Sequence, residues 1–294
     1  MIGPDAALDI CRFLHDASLM LVWGASAYLA VLVPRRLADD VARRLRIPAI
    51  VAVAAALATT LAALPIETAT IGEGWSAATD LATLHDVLFD TTVGRAWQAQ
   101  AAGAALLFAA VFFPLRIRRK AVALASGLLL AGVALTGHAV MQDGWLRIAH
   151  VANDGVHVLS AGAWLGAMVP LLPILARLDT AARPEAGLAL RRFSNAGHVA
   201  VALAIASGLV NTCLVLGRLP TDWSSPYQAL LAAKIAAVAA MTGLALVNRY
   251  GLVPRMARRG SGSVRLIRFA TLAEIVLGLG AVAAVSVLGM LEPV

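Results

Sequence analysis

Charge is what this sequence has least of. Only 14% of its 294 residues are Asp, Glu, Lys or Arg, and the mean hydropathy is +0.81. Too little polar surface is left to cover a soluble fold, which excludes an ordinary soluble domain. Cysteine is nearly absent: Cys11 and Cys213 stand far apart with no C-x-x-C spacing, so the count names neither a redox motif nor a zinc site. The first residues carry Asp5 and Asp9 instead of a basic n-region, and no small-residue cleavage signature follows the first apolar run. That run is expected to stay as a span and not to be cut away as a signal peptide. There is no nucleotide-binding loop, no aspartyl-phosphorylation motif and no low-complexity linker, so the chain reads as one non-enzymatic unit, residues 1–294, without direct ATP-driven pumping.

What the sequence does have is repeated apolar runs of span length. A span needs roughly 20 apolar residues to cross a core about 30 Å thick. Eight such runs are expected, at about 8–33, 47–66, 94–113, 121–141, 148–175, 196–216, 227–247 and 267–288, giving an all-α polytopic membrane bundle. Nineteen of the 24 Lys and Arg residues fall in four stretches, 35–46, 116–120, 177–192 and 249–268. The net charge of +7 therefore reports topology and not a nucleic-acid partner. By the positive-inside rule the basic loops are cytoplasmic and both termini are periplasmic. The longest piece between runs, residues 67–93, carries Glu67, Glu73, Asp80, Asp86 and Asp90, with Trp75, Leu81, Leu84, Val87, Leu88 and Phe89 at near-helical spacing. A short amphipathic helix on the outer surface is expected there.

Ionisable residues inside a membrane span are costly and mark candidate functional sites. At 100° per residue, Asp154 is turned about 40° from His150, and His157 about 20° the other way, with Trp164 and Met168 continuing the stripe. At 1.5 Å rise, His157 lies roughly 10 Å below His150, so the stripe runs inward from the outer surface. The preceding span brings His138 and Met141 to the same surface, and the first span starts there with His15 and Asp16. Imidazole, thioether and thiolate suit copper, and a nearby carboxylate can fix a histidine tautomer, the role expected of Asp154. Each histidine could alone be helix glue, hydrogen-bonded to a neighbour; the set together points to a metal site formed by His138, His150, His157, Met141 and His15. Cys11 and Cys213, at similar depth, are candidate soft ligands or a disulfide, or simply small buried hydrophobes. Lys234 falls in the outer half and Glu274 in the inner half; with Asp16, Asp154 and Trp164 they are candidates for supporting the site or relaying protons. His85 and Asp86 read as a solvated surface pair, and His198 as helix glue near the cytoplasmic side.

A family resemblance rests on Thr136-Gly137-His138-Ala139, Asn153-Asp154-Gly155-Val156-His157, Ala163-Trp164-Leu165-Gly166, Arg192-Phe193-Ser194, Gly208-Leu209-Val210-Asn211, Leu230-Leu231 with Lys234, and Asn248-Arg249 followed by Pro254. These segments, spanning about 138–254, resemble the CopD family of bacterial inner-membrane copper resistance proteins. Leu88-Phe89, Thr92, Gly94 and Trp97 extend the likeness toward the third span. The resemblance implies an eight-span inner-membrane protein handling Cu(I) or Cu(II), with a proposed movement of copper from periplasm to cytoplasm. It also implies a small periplasmic partner of the CopC type, which here would be a separate chain. Gln228 stands where the pattern has Gly, and Gln100 where it has a basic residue. Two rival readings stay open at this stage. Histidines on antiparallel membrane helices also ligate haem, as in b-type cytochromes, although His150 and His157 are too close along one helix to serve two stacked haems. A copper-delivery factor that does not translocate the metal is the other.

Overall fold

The computed structural model describes residues 2–254 and 261–293; Arg255, Arg258 and Arg259 of the fourth basic stretch lie outside the described residues. Among the described residues all regular structure is helical. Among these residues ten α-helices follow one another: α1 Pro4–Val31, α2 Arg35–Arg44, α3 Arg46–Ile71, α4 Leu81–Asp90, α5 Thr92–Val111, α6 Leu115–Ala131, α7 Gly144–Leu175, α8 Arg183–Leu216, α9 Pro226–Leu246 and α10 Ser261–Leu288. Six segments of the described residues are long and apolar enough to cross a membrane: α1, α3, α7, α8, α9 with its continuation to Leu252, and α10 from Gly262. The molecule is an all-helical, multi-pass membrane protein.

Helix starts and stops follow local chemistry. Pro4 at the first turn suits α1, where the missing N–H costs nothing, and Pro34 ends the following turn and opens α2. The stretch around Asp39 and Asp40, expected as a loop, is this short α2: Leu37, Ala38 and Val41 fall on one face and are buried, leaving the arginines outside. Asp80 caps α4 by accepting from the Thr83 N–H at 3.0 Å, and Thr91 caps α5 by accepting from Gly94. The Thr83 hydroxyl and amide together hold the Asp80 carboxyl below its ordinary range. The expected outer amphipathic segment thus contains one ten-residue helix, α4, while α3 runs on to Ile71.

The fourth apolar run departs from expectation. It was expected as one helix over 121–141, but α6 stops at Ala131 and the chain continues as two 3-10 turns, Gly132–Leu135 and Gly137–Val140. Gly137 takes φ +69°, a left-handed turn open to glycine at little cost, and this places His138 on a tight connection and not on a long helix. With α5 at 20 residues and α6 at 17, these two helices are shorter than the six apolar spans.

α1 is the centre of the bundle, packing on α3, α6, α7 and α10. Its crossing with α7 is close because glycine faces backbone. A Cβ on Gly24 would stand 2.3 Å from the Gly162 carbonyl oxygen, and one on Gly166 would stand 2.0 Å from that of Met20. Small residues let membrane helices approach this way, and packing then holds them without a hydrophobic drive from water. Trp23 locks the same crossing by donating its indole N–H to the Leu159 carbonyl at 2.9 Å. α8 packs on α7 and α9 on α10, forming two pairs whose facing sides are separated by cavities. At the basic end Arg119 pairs with Asp39 at 2.8 Å and Arg177 pairs with Asp40, tying α2 to its neighbours.

Candidate functional site

The larger cavity, about 320 Å³, lies toward the end opposite the basic stretches, between α1, α3, the 3-10 connection, α7, α8, α9 and α10. Its wall gathers nearly every intramembrane polar residue singled out from the sequence: Cys11, His15, Asp16, His138, His150, Asp154, His157, Trp164 and Lys234. Arg12 and Glu67 meet at 2.9 Å on the same wall and bridge α1 to α3. Four histidines from three elements therefore share one space.

Each imidazole has one ring nitrogen committed to the protein, and the partner decides which nitrogen carries the hydrogen. The Gln142 side chain gives its N–H to the Leu214 carbonyl at 3.1 Å, which turns its amide oxygen toward His150 Nδ1 at 2.6 Å. An amide oxygen only accepts, so Nδ1 carries the hydrogen and Nε2 keeps a lone pair. His157 Nδ1 donates to the Ala204 carbonyl at 2.9 Å, with Ser207 Oγ at 3.1 Å, and its Nε2 is likewise bare. Thr59 Oγ1 donates to the Ala55 carbonyl at 2.7 Å and so accepts from His15 Nδ1 at 3.0 Å. His15 Nε2 is buried with no partner among the described residues. His138 is reversed: Nε2 donates to the Leu288 carbonyl at 3.1 Å, leaving bare Nδ1 facing Met141 Sδ at 3.1 Å. Neither of those two atoms has a hydrogen to share, so the pair offers two soft donors to one small cation. An outer hydrogen bond that fixes the tautomer of an imidazole is the support that metal-binding histidines use.

These supports are not the ones the sequence suggested. Asp154 accepts from Asn211 at 2.7 Å, and Asn211 in turn accepts from Asn153 at 2.6 Å. Asp154 is thus held by an amide chain linking α7 to α8, and Lys234 lines the same cavity. The orienting groups of the histidines are Gln142, Thr59, Ser207 and the carbonyls of Ala204 and Leu288. Gln142 and Thr59 were not singled out from the sequence, because their importance lies in contacts between elements. Asn211 stood inside a noted motif. Met141 sits outside the cavity wall, reaching it only through His138. The two thiols are both free, not a disulfide. Cys11 is buried on the cavity wall with its Sγ 3.5 Å from the Thr59 carbonyl, whereas Cys213 is exposed and away from the wall. His85 and Asp86 are exposed, 3.5 Å apart. Among the described residues no three of His, Cys, Asp or Glu come together as a closed metal site. The histidines line a shared space, and the closest soft pair is His138 with Met141.

Residues 2–148 match the family model described as copper resistance protein D-like, N-terminal domain, and residues 187–288 match that of copper resistance protein D. The chain is 34% identical over 288 residues to inner membrane protein YebZ of Escherichia coli strain K12, covering 96% of this chain and 97% of that protein. The chain belongs to the copper resistance protein D family. Copper resistance protein D of Pseudomonas syringae pv. tomato is 32% identical over 69% of this chain and 69% of its own length. Copper transport protein CutJ of Bacillus subtilis strain 168 is 32% identical over 57% of this chain and 32% of its own length. As a member of the copper resistance protein D family, the chain is a multi-pass inner-membrane protein.

The two glutamines expected from the sequence to depart from the resemblance, Gln228 and Gln100, occupy defined places. Gln228 is completely buried, and its side-chain oxygen accepts from the Asp222 N–H at 3.1 Å, closing the connection into α9. Gln100 lies on the wall of the large cavity, where a basic residue would add positive charge beside the histidines. Trp164, 6% exposed, lines this cavity and also a second one on the basic side, so the indole is a shared wall between them.

Proposed function

We propose that this member of the copper resistance protein D family binds copper in the large cavity and passes it from periplasm to cytoplasm. His138 and Met141 receive the metal at the outer end; His15, His150 and His157 continue the path inward. The observation that carries the reading is the set of bare ring nitrogens, each on an imidazole whose other nitrogen is fixed by a protein acceptor. Such a set binds a borderline or soft cation without having to reorganise. Asp16, Asp154 and Lys234 set the charge of the cavity, and Cys11 adds a soft donor on its wall. Spans built on α5 and α6 join the six apolar ones, giving eight crossings, with basic loops in the cytoplasm and both termini in the periplasm. The whole chain acts as one membrane unit, α4 lies on the periplasmic surface, and a separate CopC-like protein hands copper to the outer end.

The test is copper uptake into sealed vesicles of known orientation, read by mass spectrometry at matched protein abundance. His138→Ala with His157→Ala is expected to abolish uptake. Wild-type uptake by that double variant would return these residues to the role of helix glue. A haem absorbance band in the purified protein, lost in the same variant, would assign the histidines to haem instead.

A further inference from the structure

The second cavity, about 210 Å³, lies on the basic side of Trp164, between the α7–α8 and α9–α10 pairs. Its chemistry differs from that of the histidine-lined space. Glu274 of α10, 3% exposed, is on its wall and accepts from the Asn248 side-chain N–H at 2.7 Å. Among the described residues the buried Asn248 Oδ1 has no hydrogen-bond partner. Thr242 and Thr271, also on the wall, have spent their hydroxyl hydrogens on the carbonyls of Val238 and Ile267, each at 2.9 Å. Four side chains from α9, its continuation and α10 therefore bring oxygen lone pairs to one wall, with the threonine hydrogens spent on backbone carbonyls and the Asn248 hydrogen on Glu274 itself. Asn248 is the second residue of the six-residue π-helical turn Val247–Leu252, an irregularity that recurs at functional sites.

The other titratable or charged groups on this wall are His198 of α8 and Arg249 of the π turn; α7 contributes Trp164, Met168 and Leu171, none of which titrates. α1 also packs on α10, but its Arg12 and Asp16 line the other cavity. Arg249 donates to Ser194 Oγ at 2.5 Å and to Asn195 Oδ1 at 3.2 Å, and His198 Nδ1 lies 2.7 Å from the Ser194 carbonyl. Both cationic candidates are thus engaged with α8. Among the described residues Glu274 has no ion-pair partner. A membrane carboxylate satisfied by a single amide is costly, and the cost is relieved by a bound cation or proton. Carboxylate, amide and hydroxyl oxygens suit a hard ion and not a soft one.

We propose that Glu274 and Asn248, with Thr242 and Thr271, form a binding site for a small hard cation, a proton or Na⁺, distinct from the copper path and separated from it by Trp164. On the transport reading, on which this role rests, that ion is the one whose gradient drives copper movement. In the proton case, the carboxylate takes up one proton and loses its charge; in the sodium case, it keeps its charge and the ion adds to the oxygen set.

Infrared difference spectroscopy on the full-length protein in lipid nanodiscs tests the site without copper. In the proton arm, acidification in sodium-free buffer produces a protonated-carboxyl band that Glu274→Gln removes. In the sodium arm, added Na⁺ at fixed pH shifts carboxylate bands that Glu274→Gln removes. Asn248→Ala, which keeps the carboxylate, shifts the affected band in either arm and guards against a poorly inserted Glu274→Gln. Identical difference spectra for wild type and Glu274→Gln in both arms, with both variants folded, overturn the proposal. The driving role is read in proteoliposomes: imposed pH or Na⁺ gradients alter copper flux in wild type, and Glu274→Gln loses that response. The Glu274 band without copper flux in wild type overturns the transport reading and leaves the cation site standing.

Discussion

His138 Nδ1 and Met141 Sδ stand 3.1 Å apart, two lone-pair atoms with no hydrogen between them. The carbonyl of Leu288, 150 residues away, causes this by taking the Nε2 hydrogen, so the tautomer that exposes Nδ1 to the sulfur is imposed from the last helix. The Tyr227 ring stands T-shaped against the imidazole, 5.5 Å between centroids.

The first prediction follows from that pair. Met141→Leu keeps the apolar volume and removes the thioether, so Cu(I) affinity measured by chelator competition is expected to fall more than tenfold, while the thermal stability of the protein stays close to wild type. The loss exceeds the lower end of the 10–100-fold range typical of orienting groups, because a ligand and not its support is removed. His138→Ala is expected to cost more than Met141→Leu, since it also removes the anchor to α10. Equal Cu(I) affinity in wild type and Met141→Leu would remove the sulfur from the path.

The α1–α7 crossing makes a second prediction, on stability. Gly166→Ala puts a methyl 2.0 Å from the Met20 carbonyl oxygen, where backbone and not a flexible side chain must yield. A loss of about 1–3 kcal/mol is expected, the usual range for overpacking. Gly197→Ala is the control, because a Cβ there meets nothing within 4 Å. Thermal unfolding in one detergent, with both variants compared at equal concentration, reads the difference. Equal stability of the two variants would mean the crossing is looser than its geometry.

Much of the architecture was legible because apolar length and charge alternation are one-dimensional signals. All eight apolar runs contain helix, and the face shared by His150, Asp154 and His157 follows from 3.6 periodicity alone. The break after Ala131 was not legible: Gly132, Val133, Ala134 and Leu135 keep the run apolar while the backbone tightens. α2 was hidden by its arginines, which mask the buried face of Leu37, Ala38 and Val41. At the site, sequence spacing placed Asp154 as the support of the histidines, but spacing along one helix cannot see α8, where Asn211 takes that carboxylate. Gln142 and Thr59 became orienting groups only once separate elements met.

A third prediction concerns sidedness. Single cysteines at Ser76 and Asp143, in a background lacking Cys11 and Cys213, are expected to react with an impermeant thiol reagent from the periplasm. A cysteine at Arg118 is expected to react only after the membrane is opened. The reason is the concentration of Lys and Arg around Arg118 and their scarcity around Ser76. Periplasmic labelling at Arg118 would invert the orientation and with it the direction proposed for copper.

The last prediction is the pH dependence of copper binding. Metal and proton compete for the same bare nitrogens, Nε2 of His15, His150 and His157 and Nδ1 of His138, because only the neutral imidazole can ligate. Binding is therefore present where the imidazoles are neutral and is lost as acid protonates them. The second ring nitrogen of each histidine is already protonated and held by an acceptor, so protonating the bare nitrogen creates a full charge facing the cavity and Lys234. A positive charge on Lys234, on the same wall, would oppose a second positive charge there. Lys234→Met removes the opposition and is expected to shift the midpoint of Cu(I) binding upward in pH, whereas Asp154→Asn removes a compensating negative charge and shifts it downward. Chelator competition across a pH series in wild type and both variants reads the two shifts, and shifts of the same sign in both would show that these charges do not face the metal-binding nitrogens.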